Sequence, residues 1–249
     1  MDKKTLSDDA WGKKIQDVGF WKKRYETHRE GDENFEWYCG YAQIKELFEA
    51  TVGDPTIDKT ILDLGCGSST LSVEMRNAGY RVIGLDYVKD QIDFLNHKFK
   101  DVEHLHFVHG DFRFMTRVFS TLFEVVMDKG GFDSILASGS VDTAEKTASQ
   151  IDLLLKAFGH FICISHADPE TDLGQQLLSV VLSNVDHRSN RWSVDIHSAS
   201  ETMDEDGTGG FHVYIFHKVP RPRTRSVTQA LHSAKSSNGI NFSIRRHYH

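Results

Sequence analysis

The sequence predicts an α/β fold, a doubly wound and mostly parallel sheet with helices on both faces, and three observations carry that reading. Short apolar runs that read as buried strands alternate with stretches of helical period along most of the 249 residues. The first core run, Ile61-Leu62-Asp63-Leu64, passes straight into Gly65-Cys66-Gly67 and then into a helical pattern opening at Leu71. Strands two, three and four each close on an aspartate, Asp86, Asp111 and Asp128. The carboxyl ends of strands in an open parallel sheet line the ligand crevice, so the repetition has a physical meaning.

Taken in order, Trp11, Ile15, Val18, Trp21 and Tyr25 recur three or four apart and mark one face of a helix, with Trp21 and Tyr25 one turn apart. A polar loop is expected from Thr27 to Asn34, and Phe35 to Tyr41 follows with four aromatic residues in seven. Helical period covers Tyr41 to Thr51 and stops at Gly53-Asp54-Pro55. After the first strand a helix runs to Ala78 with Gly79 as its C-cap. Strand two spans Tyr80 to Leu85, a helix Val88 to Phe99, strand three His104 to Val108 and strand four Phe123 to Met127. A helix over Thr143 to Lys156, strand five over His160 to Ser165 and a helix over Leu173 to Leu182 complete the alternation. Arg191 to His197 and Phe211 to His217 alternate as strands around the acidic loop Glu201 to Gly210. The expected organisation is a helical N-terminal extension (1–55) that contributes a lid, one domain (56–218) and a tail (219–249).

Composition narrows the function classes. No run of about 18 apolar residues occurs and the first residues lack the apolar stretch of a secretory signal, so neither membrane insertion nor secretion is expected. Cys39, Cys66 and Cys163 are far apart with no paired spacing, which predicts free thiols in a reducing, cytoplasmic compartment. His104, His106 and His109 read as strand-edge residues, and no metal site is expected. The tail carries six Lys or Arg and no acid, which leaves residues 1–218 with 23 cations against 36 anions. An acidic body argues against a nucleic-acid substrate held through its phosphates. The basic tail, expected to be disordered, can touch RNA or an acidic partner, and the chain is expected to act as a monomer.

The glycine turn selects the cofactor. A dinucleotide site asks for a third glycine where Thr70 stands. Asp63, inside the end of strand one, is awkward beside a diphosphate and well placed for an ammonium. S-adenosylmethionine meets those terms with an ammonium, a sulfonium, a ribose diol and an adenine. Asp86, 21 residues after Gly65, lies where a carboxylate accepts both ribose hydroxyls. Asp111 is placed for the adenine amine, with the Phe112 N–H available to the ring.

Several stretches together resemble the class I S-adenosylmethionine-dependent methyltransferases. They are Phe20-Trp21-Lys22-Lys23-Arg24-Tyr25, Phe35-Glu36-Trp37-Tyr38, Ile61 to Ser69, Ala78-Gly79-Tyr80, Leu85-Asp86-Tyr87, Val125 to Gly130 and Gly210 to Tyr214. Within that class the chain looks like the eukaryotic group of endothelin-converting-enzyme-associated and elongation-factor lysine methyltransferases. The resemblance implies a Rossmann-like, seven-stranded sheet with an antiparallel last strand. It also implies cofactor contacts at Trp21, Tyr25, Trp37, Gly65, Asp86, Tyr87, Asp111, Phe112 and Lys129, to which the glycine-turn reading adds Asp63 and Gly67. This chain departs from the family at Gly131, where a threonine or similar residue is common, and at Ala157-Phe158-Gly159, where a Pro-Gly-Gly turn is common.

The expected reaction is in-line transfer of a methyl group from a sulfonium to a neutral nucleophile, with no covalent role for a protein side chain. A protein lysine is the expected acceptor. Asp128, Asp133 and Tyr38 are the candidates for the substrate rim, the two aspartates as its acidic groups and Tyr38 with Phe132 as the lining of the acceptor channel. A small-molecule methyltransferase is the alternative enzyme, a cofactor-binding scaffold the alternative of another class, and a nicotinamide oxidoreductase is disfavoured by Thr70 and Asp63.

Overall fold

A computed structural model describes residues 17–31, 36–183, 190–199, 210–220 and 242–248. Eight strands form one sheet: β1 Thr60–Leu64, β2 Arg81–Asp86, β3 Leu105–His109, β4 Phe123–Lys129, β5 Leu155–Ser165, β6 Asn190–Ala199, β7 His212–Pro220 and β8 Phe242–Tyr248. Their order is β3-β2-β1-β4-β5-β7-β6-β8. The strands from β3 to β5 are mutually parallel, and β7 runs antiparallel to both β5 and β6. That is the expected seven-stranded arrangement with one further edge strand. β8 pairs antiparallel with β6 and comes from the tail, so part of the segment expected to be disordered is a strand instead.

Alternation along the strands sends side chains to opposite faces, and each face carries its own helices. On one face Leu62, Leu64, Val126, Phe161, Cys163, Tyr214 and Phe216 pack with α5 (Gly131–Ala137), α6 (Val141–Leu154) and α7 (Asp172–Ser183). On the other, Ile61, Val82, Val125, Met127, Ile162 and Ile215 pack with α2 (Tyr41–Val52), α3 (Leu71–Ala78) and α4 (Lys89–Lys98). Phe48 of α2 sits edge-on between Tyr41 and Tyr80, at 5.7 and 5.5 Å. Fully burying a side chain of that size stabilises the fold by about 3 kcal/mol, so α2 is a structural part of the sheet's second face.

Four local differences from the sequence reading have plain causes. The first helix, α1 (Val18–Gly31), runs on past Thr27, where a loop was expected to begin, because Arg and Glu are good helix formers; Trp11 and Ile15 lie outside the described residues. A 3₁₀ helix over Phe112–Arg117 is capped by Asp111, whose carboxylate accepts the Arg113 N–H. α5 escaped notice because Gly130-Gly131 at its head reads as a breaker; Gly130 is in fact its N-cap. β5 starts five residues early, directly after α6, and a register shift between Phe123 and Val125 absorbs the irregular Ala157-Phe158-Gly159 segment. The end of α6 is held by Lys218 of β7, which is buried, contacts the Asp152 carboxylate at 3.1 Å and donates to the Leu155 carbonyl at 3.0 Å.

Candidate functional site

The strand order reverses between β1 and β4, and the crevice that such a reversal opens lies at their carboxyl ends. The β1 turn enters it through Gly65 and Gly67, whose φ values of +65° and +49° are those of the left-handed region. A Cβ on Gly65 would lie 3.2 Å from the Phe112 ring, and one on Gly67 would lie 3.0 Å from the Tyr25 hydroxyl. The turn is therefore a cradle with bare backbone on its floor and aromatic groups above it.

Asp86 is buried at the end of β2. Its Oδ1 accepts the Val88 N–H at 2.8 Å, while Oδ2 accepts the Gly67 N–H at 3.1 Å and the Tyr25 hydroxyl at 3.2 Å. Burial raises its pKa, and the three donors oppose the rise. Asp63 points to α3, where it accepts from the Ser72 hydroxyl at 2.5 Å; burial pushes its carboxyl up to about 6 against the pull of Ser72 and Lys129. Tyr87 is half-buried beside them, its carbonyl oxygen 3.1 Å from Nε2 of His109. Asp111 is held by Arg113 through both the backbone and the guanidinium; partial burial raises its pKa, but the Arg113 contacts outweigh this and lower it.

Above the turn, Trp21 packs on Tyr25 with centroids 5.9 Å apart, and the Arg24 guanidinium lies 4.9 Å from the centroid of Trp37. Glu36 ties this layer down. One of its oxygens pairs with Lys129, while the other accepts from the Thr70 N–H at 3.0 Å, the Ser69 hydroxyl at 3.0 Å and the Thr70 hydroxyl at 3.2 Å. A carboxylate at a helix N-terminus meets both free N–H groups and the positive end of the helix dipole. Lys129 is buried, and it also donates to the Trp37 carbonyl at 3.1 Å. Glu36 was missed in the sequence because aromatic residues surround it; a carboxylate amid aromatics just ahead of the first core strand was the available signal.

The acidic rim needs correction. Asp128 is fully buried and forms a floor, with both oxygens accepting the Phe132 N–H at 3.1 and 3.2 Å. Burial pushes its carboxyl up to about 8 against that backbone contact. A Cβ at position 131 would collide with Asp128 Oδ1, so the glycine lets the carboxylate fold back onto α5. Asp133 is also buried, behind Tyr38, whose hydroxyl donates to it at 2.7 Å. Phe132 is buried in the core against Phe161. The groups at the opening are Tyr38 and His166, and the latter was missed because nothing around it in the sequence marks it.

The crevice fits S-adenosylmethionine by its own chemistry: a bare-backbone cradle, a buried carboxylate one strand away for a diol, and aromatic cover. Residues 56–212 match the family described as Methyltransferase domain. The chain is 28% identical over 222 residues to the mouse EEF1A lysine methyltransferase 4, covering 85% of this chain and 78% of that protein. It is 27% identical over 206 residues to the Xenopus laevis eEF1A lysine and N-terminal methyltransferase, covering 79% of this chain and only 27% of that longer protein. Among solved structures, the N-methyltransferase NodS of Bradyrhizobium japonicum, in complex with S-adenosyl-L-homocysteine, has the same fold at a TM-score of 0.56 and 10% identity, covering 81% of this chain and 99% of its own. The fold, the glycine cradle and the family match agree: the chain belongs to the methyltransferase-domain family and is an S-adenosylmethionine-dependent methyltransferase.

Proposed function

We propose that the chain transfers the methyl group to the side-chain nitrogen of lysine in a protein substrate. The observation that carries this is the wall beside the cradle, where Tyr38 packs on Gly130 and carries the buried carboxylate of Asp133 behind it. An aromatic face backed by negative charge suits an ammonium better than a phosphate, a hydroxyl or a carboxylate. The acidic body of the chain extends the same preference over a longer range. The names of the mouse and frog relatives favour the same acceptor, and make elongation factor 1A the first protein to try.

In this reading Asp86 accepts the ribose hydroxyls, the Gly65 and Gly67 backbone faces the cofactor's methionine end, and Asp63 faces its ammonium. Asp111 and the Phe112 N–H take the adenine, Tyr87 borders the ribose, and Trp21, Tyr25 and Trp37 cover the whole. Lys129 holds the covering segment through Glu36 and stands at the methionine end. When bound, the cofactor supplies an electrophilic methyl already activated by the sulfonium charge. The protein's task is to align a neutral amine with it and to exclude water. The three cysteines, all buried as free thiols, favour a cytoplasmic setting.

The test is incubation of the purified chain with radiolabelled S-adenosylmethionine and, in parallel, purified elongation factor 1A and a cell lysate. Label on a protein lysine, located by mass spectrometry, is the expected result. Label recovered only in small molecules would sink the proposal.

A further inference from the structure

The phenol of Tyr38 is aimed by a strained turn. Tyr38 has a φ of +59°, and the Cys39 N–H donates across it to the Trp37 carbonyl at 2.6 Å, which makes it the apex of a γ-turn. That conformation is rare for a residue with a Cβ and persists only where the surroundings enforce it. Both flanks do so here: Lys129 also donates to the Trp37 carbonyl, at 3.1 Å, and Cys39 is buried. The ring so placed lies against Gly130 at the end of β4, its Cε2 3.3 Å from where a Cβ would stand. Its hydroxyl donates to Oδ2 of Asp133 at 2.7 Å, and Asp133 is itself buried and held on Oδ1 by the Ser165 hydroxyl at 2.5 Å. Burial and the charge of Asp133 push the phenol's pKa far above its ordinary value, so it keeps its proton. A phenol oxygen whose one proton is given to Asp133 can otherwise only accept. It lies 3.1 Å from Nδ1 of His166 and 3.8 Å from where a Cβ on Gly130 would stand, and the glycine leaves that space beside it open.

We propose that Tyr38 sets how many methyl groups the acceptor lysine receives, its oxygen accepting one N–H of the amine in the space beside Gly130. The assignment rests on the lysine-methylation reading above. A neutral amine whose lone pair points at the methyl group has two substituents besides its own chain. In lysine both are hydrogens, in monomethyl-lysine one is, and in dimethyl-lysine neither is. The first two acceptors can turn an N–H to Tyr38 and so aim the lone pair, whereas the third must place a methyl against the oxygen. In each transfer the amine's electron pair forms the C–N bond as the methyl–sulfur pair withdraws to sulfur. The ammonium formed loses a proton to solvent before the next transfer. The charge of Asp133 acts on all three acceptors alike, so it moves their rates together and leaves the ratio to the phenol oxygen. Dimethyl-lysine is then the product at which the reaction slows.

The test incubates the full chain with purified elongation factor 1A and, in parallel, with a cell lysate, and follows the methylation of one lysine over time by mass spectrometry to obtain the rates of its three successive transfers. In the wild type the third transfer should be at least about tenfold slower than the second, the difference that one hydrogen bond makes. Tyr38→Phe keeps the ring on Gly130 and loses the oxygen, so its first two rates should fall about tenfold while the third does not. The ratio of second to third should then approach one, with cofactor binding within twofold of wild type by calorimetry. Asp133→Asn keeps the phenol, and should change the three rates together with their ratio held within twofold. A wild type whose third transfer is as fast as its second overturns this assignment alone. So does a Tyr38→Phe enzyme that binds the cofactor and keeps the wild-type ratio, or an Asp133→Asn enzyme whose ratio collapses. Absence of methyl-lysine from every protein overturns it together with the reading on which it rests.

Discussion

The two halves of the crevice hold their carboxylates in different ways. Before the strand order reverses, Asp86 is fixed by two backbone N–H groups, those of Gly67 and Val88, together with the hydroxyl of Tyr25. Past the reversal, Asp133 is fixed mainly by the side chains of Tyr38, Ser165 and His166, which are 95, 32 and 33 residues away, with one backbone N–H, that of His166. A backbone donor stays in place whatever the side chain is, whereas a side-chain donor exists only if its residue type is kept. On the proposed assignment, the half that would hold the cofactor is a property of the turn, and the half that would take the acceptor is a property of this chain's own side chains.

The largest expected effect falls on the cofactor half. Asp86→Ala deletes the acceptor of two buried N–H groups and the proposed acceptor of the ribose diol. Charged hydrogen bonds contribute about 1.5–3 kcal/mol each, so the loss of two from the cofactor weakens binding by 100-fold or more. Titration calorimetry measures it, and circular dichroism checks that the fold persists. Binding retained within tenfold would break the assignment of this half.

Next is the fastening between the halves. Lys129 is buried and pairs with Glu36, which itself caps α3 at Thr70. Removing one partner of a buried pair costs about 3 kcal/mol, because the other is left charged without compensation. Lys129→Met should lower Tm by roughly 6–12 °C, and the double variant with Glu36→Gln should recover part of that loss. An unchanged Tm would mean the aromatic cover is held by other contacts.

A third effect separates the halves by pH. The Asp128 carboxyl is pushed up to about 8 by burial, well above its unfolded value, so the folded state holds a proton that the unfolded state has released. Stability is therefore greatest at low pH and declines as pH rises through about 8. Asp63, at about 6, adds the same sign lower down, and His160, pushed down to about 4 by burial and by His217, acts in the opposite sense only below its ordinary value of 6.5. Between pH 6.5 and 8 Asp128 contributes about 2 kcal/mol to the slope, and Asp86, also raised by burial, acts in the same sense. Denaturant unfolding of Asp128→Asn should be flatter over that window than that of the wild type. Parallel curves would show that Asp128 does not hold the proton.

This division also explains what the sequence made legible. The glycine turn, Asp63, Asp86 and Asp111 stand at strand ends, and local patterning reveals strand ends, so the residues proposed to hold the cofactor could be named from the sequence. The parallel part of the sheet followed from the alternation of strands and helices, the antiparallel last strand from the family resemblance, and Gly79 closes α3 as its position implied. Glu36 carried only the faint signal of a carboxylate amid aromatics and His166 none, since what matters about each is a partner 93 or 33 residues away that only the sheet topology brings near. Asp128 was visible at its strand end, but its burial was not. Its carboxylate folds back because Gly131 leaves room for it, and a glycine pair in a sequence reads as a break rather than as space.

The smallest effect addresses the one side chain that crosses from cover to cradle. Tyr25 donates to Oδ2 of Asp86, which also accepts from Gly67, so both lone pairs of that oxygen are used. A ribose diol binding across both carboxylate oxygens needs one of them back. The Tyr25 hydroxyl must therefore leave Asp86 for the diol to enter, at the cost of a hydrogen bond worth about 1 kcal/mol. Tyr25→Phe keeps the ring against Trp21 and Gly67 but gives up only the hydroxyl. Cofactor affinity in that variant should rise by about fivefold, read by calorimetry beside the wild type. A fall of similar size would show that the hydroxyl binds the cofactor directly, and would move Tyr25 from the closing device to the site it closes.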